Sequence, residues 1–425
     1  MNTADLNDVQ ALDTRAREIL RMNDRGGYTV PTDGLYPYQW NWDSMFAAWG
    51  FAAFDLDRAW AEIDTLFRGQ WPNGMVPHIL FRRPDPGYFP GPDVWGTQGC
   101  GPVSSSGITQ PPVAASFVRA LWAQDPTRPE AAAIYDRLLS WHRWFMAWRC
   151  AEGAIFIVHP WESGRDNAPD WDVAMAAIDP VGVEPYERRD TQHVDASMRP
   201  TQADYDRYIW LVDRGRRLGW DDAAMAEGAP FRVADPGMTF ILMGASRDLA
   251  EMGRALGRDV SEIEGWIAML ERGAADLWND GIGAYDSRDL TSGAWAGAVS
   301  NASYLAWFGG LDDARMADRF DAMLAQVAHP IPSLDPSDPR FDARRYWRGP
   351  TWGIMNTLAG LGLRRCGHDA RERALRARTA SLIAEHGFAE YFDPVDGHPA
   401  GGGTFTWTAA IWLAWASPSA RGGAV

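Results

Sequence analysis

Positive charge is scarce in this 425-residue chain, where 40 Lys and Arg stand against 56 Asp and Glu for a formal charge of −16. A field of that sign repels phosphate backbones and anionic headgroups, which excludes nucleic acid and membrane surfaces as main partners. A small anionic ligand would need a local arginine site to overcome it. Cysteine is scarce as well. Cys100, Cys150 and Cys366 are odd in number, far apart and without metal-ligand spacing, so they read as free thiols in a reducing compartment. The opening MNTADLNDVQALDTRAREIL lacks the basic start, apolar core and cleavage site of an export signal. No run approaches the roughly 18 apolar residues that span a bilayer. A cytoplasmic protein is the expectation.

Missing motifs prune the chemistry in the same way. There is no HExxH, CxxC, P-loop or GxSxG, which removes zincins, phosphate-cradling loops and nucleophile-elbow hydrolases. Eight His residues lie scattered, so neither a tightly bound metal nor a cofactor is expected. Alternating strand patterns are rare, and AIFIVHP at 154–160 reads as one short strand. No fixed repeat, flexible linker or block of like charge divides the chain.

Tryptophan, by contrast, is abundant, with 23 residues. Most are expected to fill a helical core, but Trp rings also stack on the apolar faces of sugars. Helical periodicity recurs throughout. Ile134, Leu138, Trp141, Phe145 and Trp148 mark one apolar face. Ser261 with Glu264 predicts a capping box ahead of Ile267, Leu270 and Leu277. The run 369–386 is predicted to stop at Gly387. Polar, Gly/Pro-rich stretches at 24–39, 69–112, 160–205, 286–303, 329–351 and 390–407 alternate with these runs. About twelve helices would leave roughly 35 residues for each helix and its loop. That count fits an all-α (α/α)6 barrel, a six-hairpin toroid whose long loops form a lid over the mouth. One catalytic domain over 1–425 is expected, with cap insertions around 69–112 and 160–205.

Four loop segments concentrate chemistry. Tyr36-Pro-Tyr-Gln-Trp-Asn-Trp-Asp43 runs into a helix, where Asp43 reads locally as an N-cap. The stretch 159–172, HPWESGRDNAPDWD, packs Glu162, Asp166, Asp170 and Asp172 beside Trp161, Trp171 and Arg165. Carboxylates enclosed by aromatics have raised pKa values, as a general acid requires, but residue chemistry does not choose among the four. Arg344-Arg-Tyr-Trp-Arg-Gly-Pro-Thr-Trp352 could stack on sugar or form ion pairs. Glu390 opens EYFDPVDGHPAGGGTFTWT, whose glycines 401–403 allow a close backbone approach.

Taken together, QWNWDS (39–44), ITQPP (108–112), HPWESGRDNAPDWD (159–172), RPTQADYDRY (199–208), YWRGPTWGIMN (346–356) and EYFDP…GGGTFTWTA (390–409) resemble glycoside hydrolase family 63. The likeness is strongest to its bacterial mannosylglycerate and glucosylglycerate hydrolases. The resemblance implies an (α/α)6 barrel and inverting hydrolysis of a small α-glucoside or α-mannoside, without a cofactor. It assigns Asp166 as the acid and Glu390 as the base that activates water. It sets Trp40, Trp42, Asp43, Gln110 and Trp347 around the sugar, and Tyr88, Arg199, Tyr205 and Tyr346 around a glycerate. Tyr36, Trp161, Glu162, Gly164 and Trp407 complete the substrate-binding set that it implies. An α-glucosidase for short disaccharides is the alternative; a sugar epimerase or a non-catalytic sugar-binding protein ranks lower. The sequence fixes no subunit number, and a homo-oligomer is compatible with it.

Overall fold

Asn41–Ala52, Gly353–Arg365 and Thr406–Ile411 are buried on nearly every side, whereas Leu56–Phe67, Ser261–Ala275 and Asp369–His386 bury one stripe each. A helix without a polar face has to lie inside a shell of others. The computed structural model, which describes residues 3–188 and 195–420, shows that arrangement. The inner members are Asn41–Ala52, Ala114–Gln124, Pro236–Ala255, Asn301–Ala306, Gly353–Arg365 and Thr406–Ile411, the last running on as a π turn through Trp412–Ala416. Each packs on the next, and Thr406–Ile411 packs on Asn41–Ala52 to close the ring. The closure is tight: a Cβ on Gly50 would stand 2.6 Å from the Cα of Ala410.

The outer members are Thr3–Asn23, Glu130–Trp148, Ala314–Ala325 and the three one-striped helices above. Each covers an inner neighbour, and Thr3–Asn23 covers the last, so the two ends of the chain form one hairpin. This is an (α/α)6 barrel. No helix among the described residues is long and apolar enough to cross a membrane.

Three local expectations change. Asn301–Ala306 is a buried 3₁₀ run, so the loop read as 286–303 ends inside the ring. Its Ser and Asn residues carry turn chemistry, and packing between neighbours holds them helical. Ser261 makes no capping box: the helix is capped at Val260 without a side-chain bond, and Asp259 accepts the Ser261 amide at 2.9 Å. Asp43 is not an N-cap either. The helix starts at Asn41, which places Asp43 in its first turn, facing inward and 4 % exposed.

The predicted strand is present as Ala154–Ile157, in an antiparallel sheet with Cys150–Ala151, Val233–Ala234 and Arg288–Asp289. Phe156 pairs with Ala234. The acidic stretch 159–172 therefore leaves the sheet beside Asp235, which caps the inner helix Pro236–Ala255.

Candidate active site

Two adjoining chambers open over the N-terminal ends of the inner helices. One, of about 370 Å³, is lined by Pro31, Tyr36, Trp40, Trp42, Asp43, Gln110, Gly164, Asp166, Tyr346, Glu390, Phe405 and Trp407. The other, of about 680 Å³, is lined by Leu35, Tyr36, Trp40, His78, Ile79, Tyr88, Phe89, Pro90, Trp161, Asp166, Arg199, Pro200, Tyr205, Tyr208 and Tyr346. Both are concave and lined mainly by aromatic side chains with a few polar groups, as small-molecule sites are. Tyr36, Trp40, Asp166 and Tyr346 belong to both walls.

The four acidic residues of 159–172 separate cleanly. Asp166 alone reaches the cavity. Asp170 pairs with Arg165 at 3.0 Å, and Asp172 binds Arg348, with Nη1 to Oδ2 at 3.0 Å. Glu162, expected among the substrate residues, faces away from both chambers. Its carboxylate takes Arg149 Nη2 at 2.9 Å and the Val158 amide at 2.9 Å, with both side chains of the ion pair at most 2 % exposed. Its capacity is spent on holding the loop. Trp347 also lines neither chamber. It lies 1 % exposed against Trp352, with ring centroids 3.8 Å apart and planes 3° apart.

Glu390 follows the helix Asp369–His386, and a solvent-facing loop carboxylate would be the plain reading there. The structure buries it to 1 % exposure. The hydroxyls of Tyr36 and Tyr346 donate to its Oε1 at 3.2 and 3.1 Å, and Trp407 Nε1 donates to its backbone oxygen at 3.1 Å. Oε2 has no partner among the described residues. The close approach expected of glycines 401–403 is made to this carboxyl: at Gly401, with φ of +78°, a Cβ would sit 2.1 Å from Oε2. Burial pushes the Glu390 pKa up to about 7, although Arg199 and the two tyrosines pull it down; the charge of Asp166 adds to the rise. Burial, with Glu390 and Asp166 nearby, also holds Asp43 well above the usual carboxylate range.

Arg199 is the only Lys or Arg on either wall among the described residues. Its Nη2 donates to the Tyr36 hydroxyl at 3.3 Å, and its guanidinium lies 3.9 Å above the Tyr346 ring. Tyr88, Trp161 and Tyr205 line the same chamber. Gln110 Oε1 accepts the Trp42 amide at 3.2 Å, fixing that helix start against the smaller chamber. Arg344 and Arg348, two of the three arginines of 344–352, are engaged elsewhere, in ion pairs with Asp393 and Asp172, and Arg345 stands 3.8 Å from Asp204. His78, Phe89, Tyr208 and Phe405 also line the walls. Tyr208 and Phe405 fall inside motifs quoted above, whereas no local pattern marks His78 or Phe89.

An (α/α)6 toroid whose aromatic cavity holds loop carboxylates at its mouth is the framework of a glycoside hydrolase, and this protein is one. The model of the mannosylglycerate hydrolase MGH1-like glycoside hydrolase domain matches residues 36–408, and the chain belongs to that family. It is 44 % identical to mannosylglycerate hydrolase MGH1 of Selaginella moellendorffii over 96 % of this chain and 86 % of that protein. It is 36 % identical to the glucosylglycerate hydrolase of Mycolicibacterium hassiacum over 95 % of this chain and 97 % of that one. Among solved structures, the family 63 mannosylglycerate hydrolase of Thermus thermophilus in complex with Tris and D-glycerate superposes with a TM-score of 0.91 at 42 % identity, covering 95 % of this chain and 99 % of the other.

Proposed function

We propose that the protein hydrolyses an α-glycoside of glycerate, mannosylglycerate or glucosylglycerate, to the free sugar and glycerate with inversion at the anomeric carbon. The observation that carries this reading is the division of the cavity. Glu390 lines only the smaller chamber, Arg199 only the larger, and Asp166 stands on the wall they share. A sugar in the smaller chamber and a glycerate in the larger would place their bridging oxygen beside Asp166. That residue is assigned as the proton donor to the leaving oxygen.

Glu390 is assigned as the general base. Its Oε2, without a partner among the described residues, takes a proton from a water attacking the opposite face of the sugar, and a pKa of about 7 makes it an effective base near neutrality. Inverting pairs stand about 6.5–9.5 Å apart to leave room for that water. Arg199, flanked by Tyr36 and Tyr346, offers a charge-assisted donor to the glycerate carboxylate, supplying the local positive site that a chain of charge −16 needs. Trp40, Trp42 and Trp407 offer stacking faces to the sugar. The names of the relatives support the glycerate aglycone, and the aromatic walls suit either hexose.

The test is turnover of the two glycerate glycosides against a panel of α-disaccharides, with Asp166→Asn and Arg199→Met alongside. Preference for glycerate glycosides, abolished activity in the first variant and a raised KM in the second support the reading. Faster turnover of disaccharides, with Arg199→Met silent, would replace it by an α-glucosidase.

A further inference from the structure

Arg165 precedes Asp166 in the chain but turns away from the cavity into a fully buried cluster. Its Nη1 lies 3.0 Å from Asp170 Oδ1 and its Nη2 2.8 Å from Asp235 Oδ1, with all three side chains at most 2 % exposed. Ser300 Oγ accepts from Arg165 Nη1 at 3.2 Å and donates to Asp170 Oδ1 at 3.0 Å, while Ser287 Oγ donates to the same oxygen at 3.1 Å. None of these side chains lines either chamber. Stripping water from a cation and two carboxylates is a poor way to gain stability, because desolvation offsets most of the attraction. The cluster does define a geometry.

The elements that it joins indicate what is held. Asp235 caps the inner helix Pro236–Ala255, accepting the Gly237 amide at 2.9 Å. Ser300 stands immediately before the inner run Asn301–Ala306. Arg165 therefore ties the acidic loop to the starts of two ring members. The main chain beside it is pinned as well: Trp171 Nε1 donates to the Arg165 oxygen at 2.8 Å, and the Tyr208 hydroxyl to the Asp166 oxygen at 2.9 Å. A proton donor must meet the leaving oxygen to within a fraction of an ångström, and a displacement of about 1 Å can cost roughly 100-fold in rate.

We propose that Arg165, Asp170 and Asp235 are positioning residues that fix where the Asp166 carboxyl stands on the wall between the chambers. This rests on the assignment of Asp166 as the acid.

The test separates protonation of the leaving group from everything else. In an α-glycosyl fluoride of the preferred sugar, the C–F bond breaks and fluoride leaves as the anion without needing a proton. Water forms the new C–O bond and gives its proton to Glu390. Asp170→Asn removes one charge at constant shape and leaves Arg165 and Asp235 as a neutral pair. The expected result is a fall of about 30-fold or more in kcat on the glycerate glycoside, with KM unchanged and less than about 3-fold loss on the fluoride. Ser300→Ala, which removes only hydrogen bonds, gives the same pattern at smaller size. Arg165→Lys recovers part of what Arg165→Met loses. Equal losses on both substrates, or no loss on either, overturn the proposal. If Asp170→Asn does not fold, Ser300→Ala decides by the same criteria. Asp166→Asn serves as the reference: selective retention of fluoride turnover keeps the acid assignment in place, whereas equal loss there defeats that assignment rather than the positioning role.

Discussion

Replacing Glu390 with glutamine should shift stability in favour of the variant increasingly as pH rises. Glu390 is 1 % exposed, one of its oxygens has no partner among the described residues, and its pKa stands at about 7 against 4.5 for the free side chain. A carboxyl whose pKa is raised on folding keeps its full contribution to stability below 4.5 and loses it as pH climbs through 7. At about 1.36 kcal/mol per unit, the complete loss is about 3 kcal/mol. Between pH 5.5, chosen to stay clear of the isoelectric point of about 4.9, and pH 8, about 2 kcal/mol of it develops. For 425 residues the unfolding entropy is about 0.9 kcal/mol/K, so the gap in Tm between Glu390→Gln and the parent should widen by roughly 2 °C over that range. Scanning calorimetry at the two pH values reads this directly. The amide's own hydrogen-bonding cost is the same at both pH values and cancels. A gap that is constant with pH, or that narrows as pH rises, would refute the argument that Glu390 is ionised at the expense of the fold.

Other consequences follow from the same contacts. Arg199→Met and Tyr346→Phe each remove an influence that lowers the Glu390 pKa. Both should move the acidic limb of kcat/KM, measured on a glycosyl fluoride, to higher pH, and an unmoved limb would disconnect Glu390 from it. Gly401→Ala drives a Cβ to within 2.1 Å of Glu390 Oε2 at a φ of +78°. It should lower kcat by about 100-fold and stability by about 1–2 kcal/mol, measured by initial rates and thermal melting. Glu162→Gln breaks the buried pair with Arg149 and should cost about 3–5 kcal/mol. At temperatures where it stays folded, its KM should match the parent, whereas a raised KM would restore Glu162 to the substrate.

How far the sequence speaks for itself depends on the range of the interaction. Apolar faces such as Ile134-Leu138-Trp141-Phe145 are local, and the helix Glu130–Trp148 buries those residues. The ring was readable for the same reason, since helices repeated along the chain and strand patterns did not. Caps were read less well. Ser261 and Glu264 have the right spacing, but the loop before them offers Asp259 as a competing acceptor. The inner run Asn301–Ala306 has the composition of a loop and is helical only because its neighbours enclose it. Among the four carboxylates of 159–172, residue type carried no information. Glu162, Asp170 and Asp172 are turned away from the cavity by the guanidinium each one meets, Arg149, Arg165 and Arg348 respectively, each supplied by chain geometry. Glu162 and Trp347 sit in motifs with the cavity residues yet face away from it. His78 lines the larger chamber with no flanking pattern to announce it.

The central claim is that a water activated at Glu390 attacks while Asp166 protonates the departing oxygen from across the cavity. Proton NMR of the first sugar released from an α-linked glycerate glycoside, recorded before mutarotation, tests it most directly. The β anomer should appear first and relax afterwards to the equilibrium mixture. Initial formation of the α anomer would contradict the account.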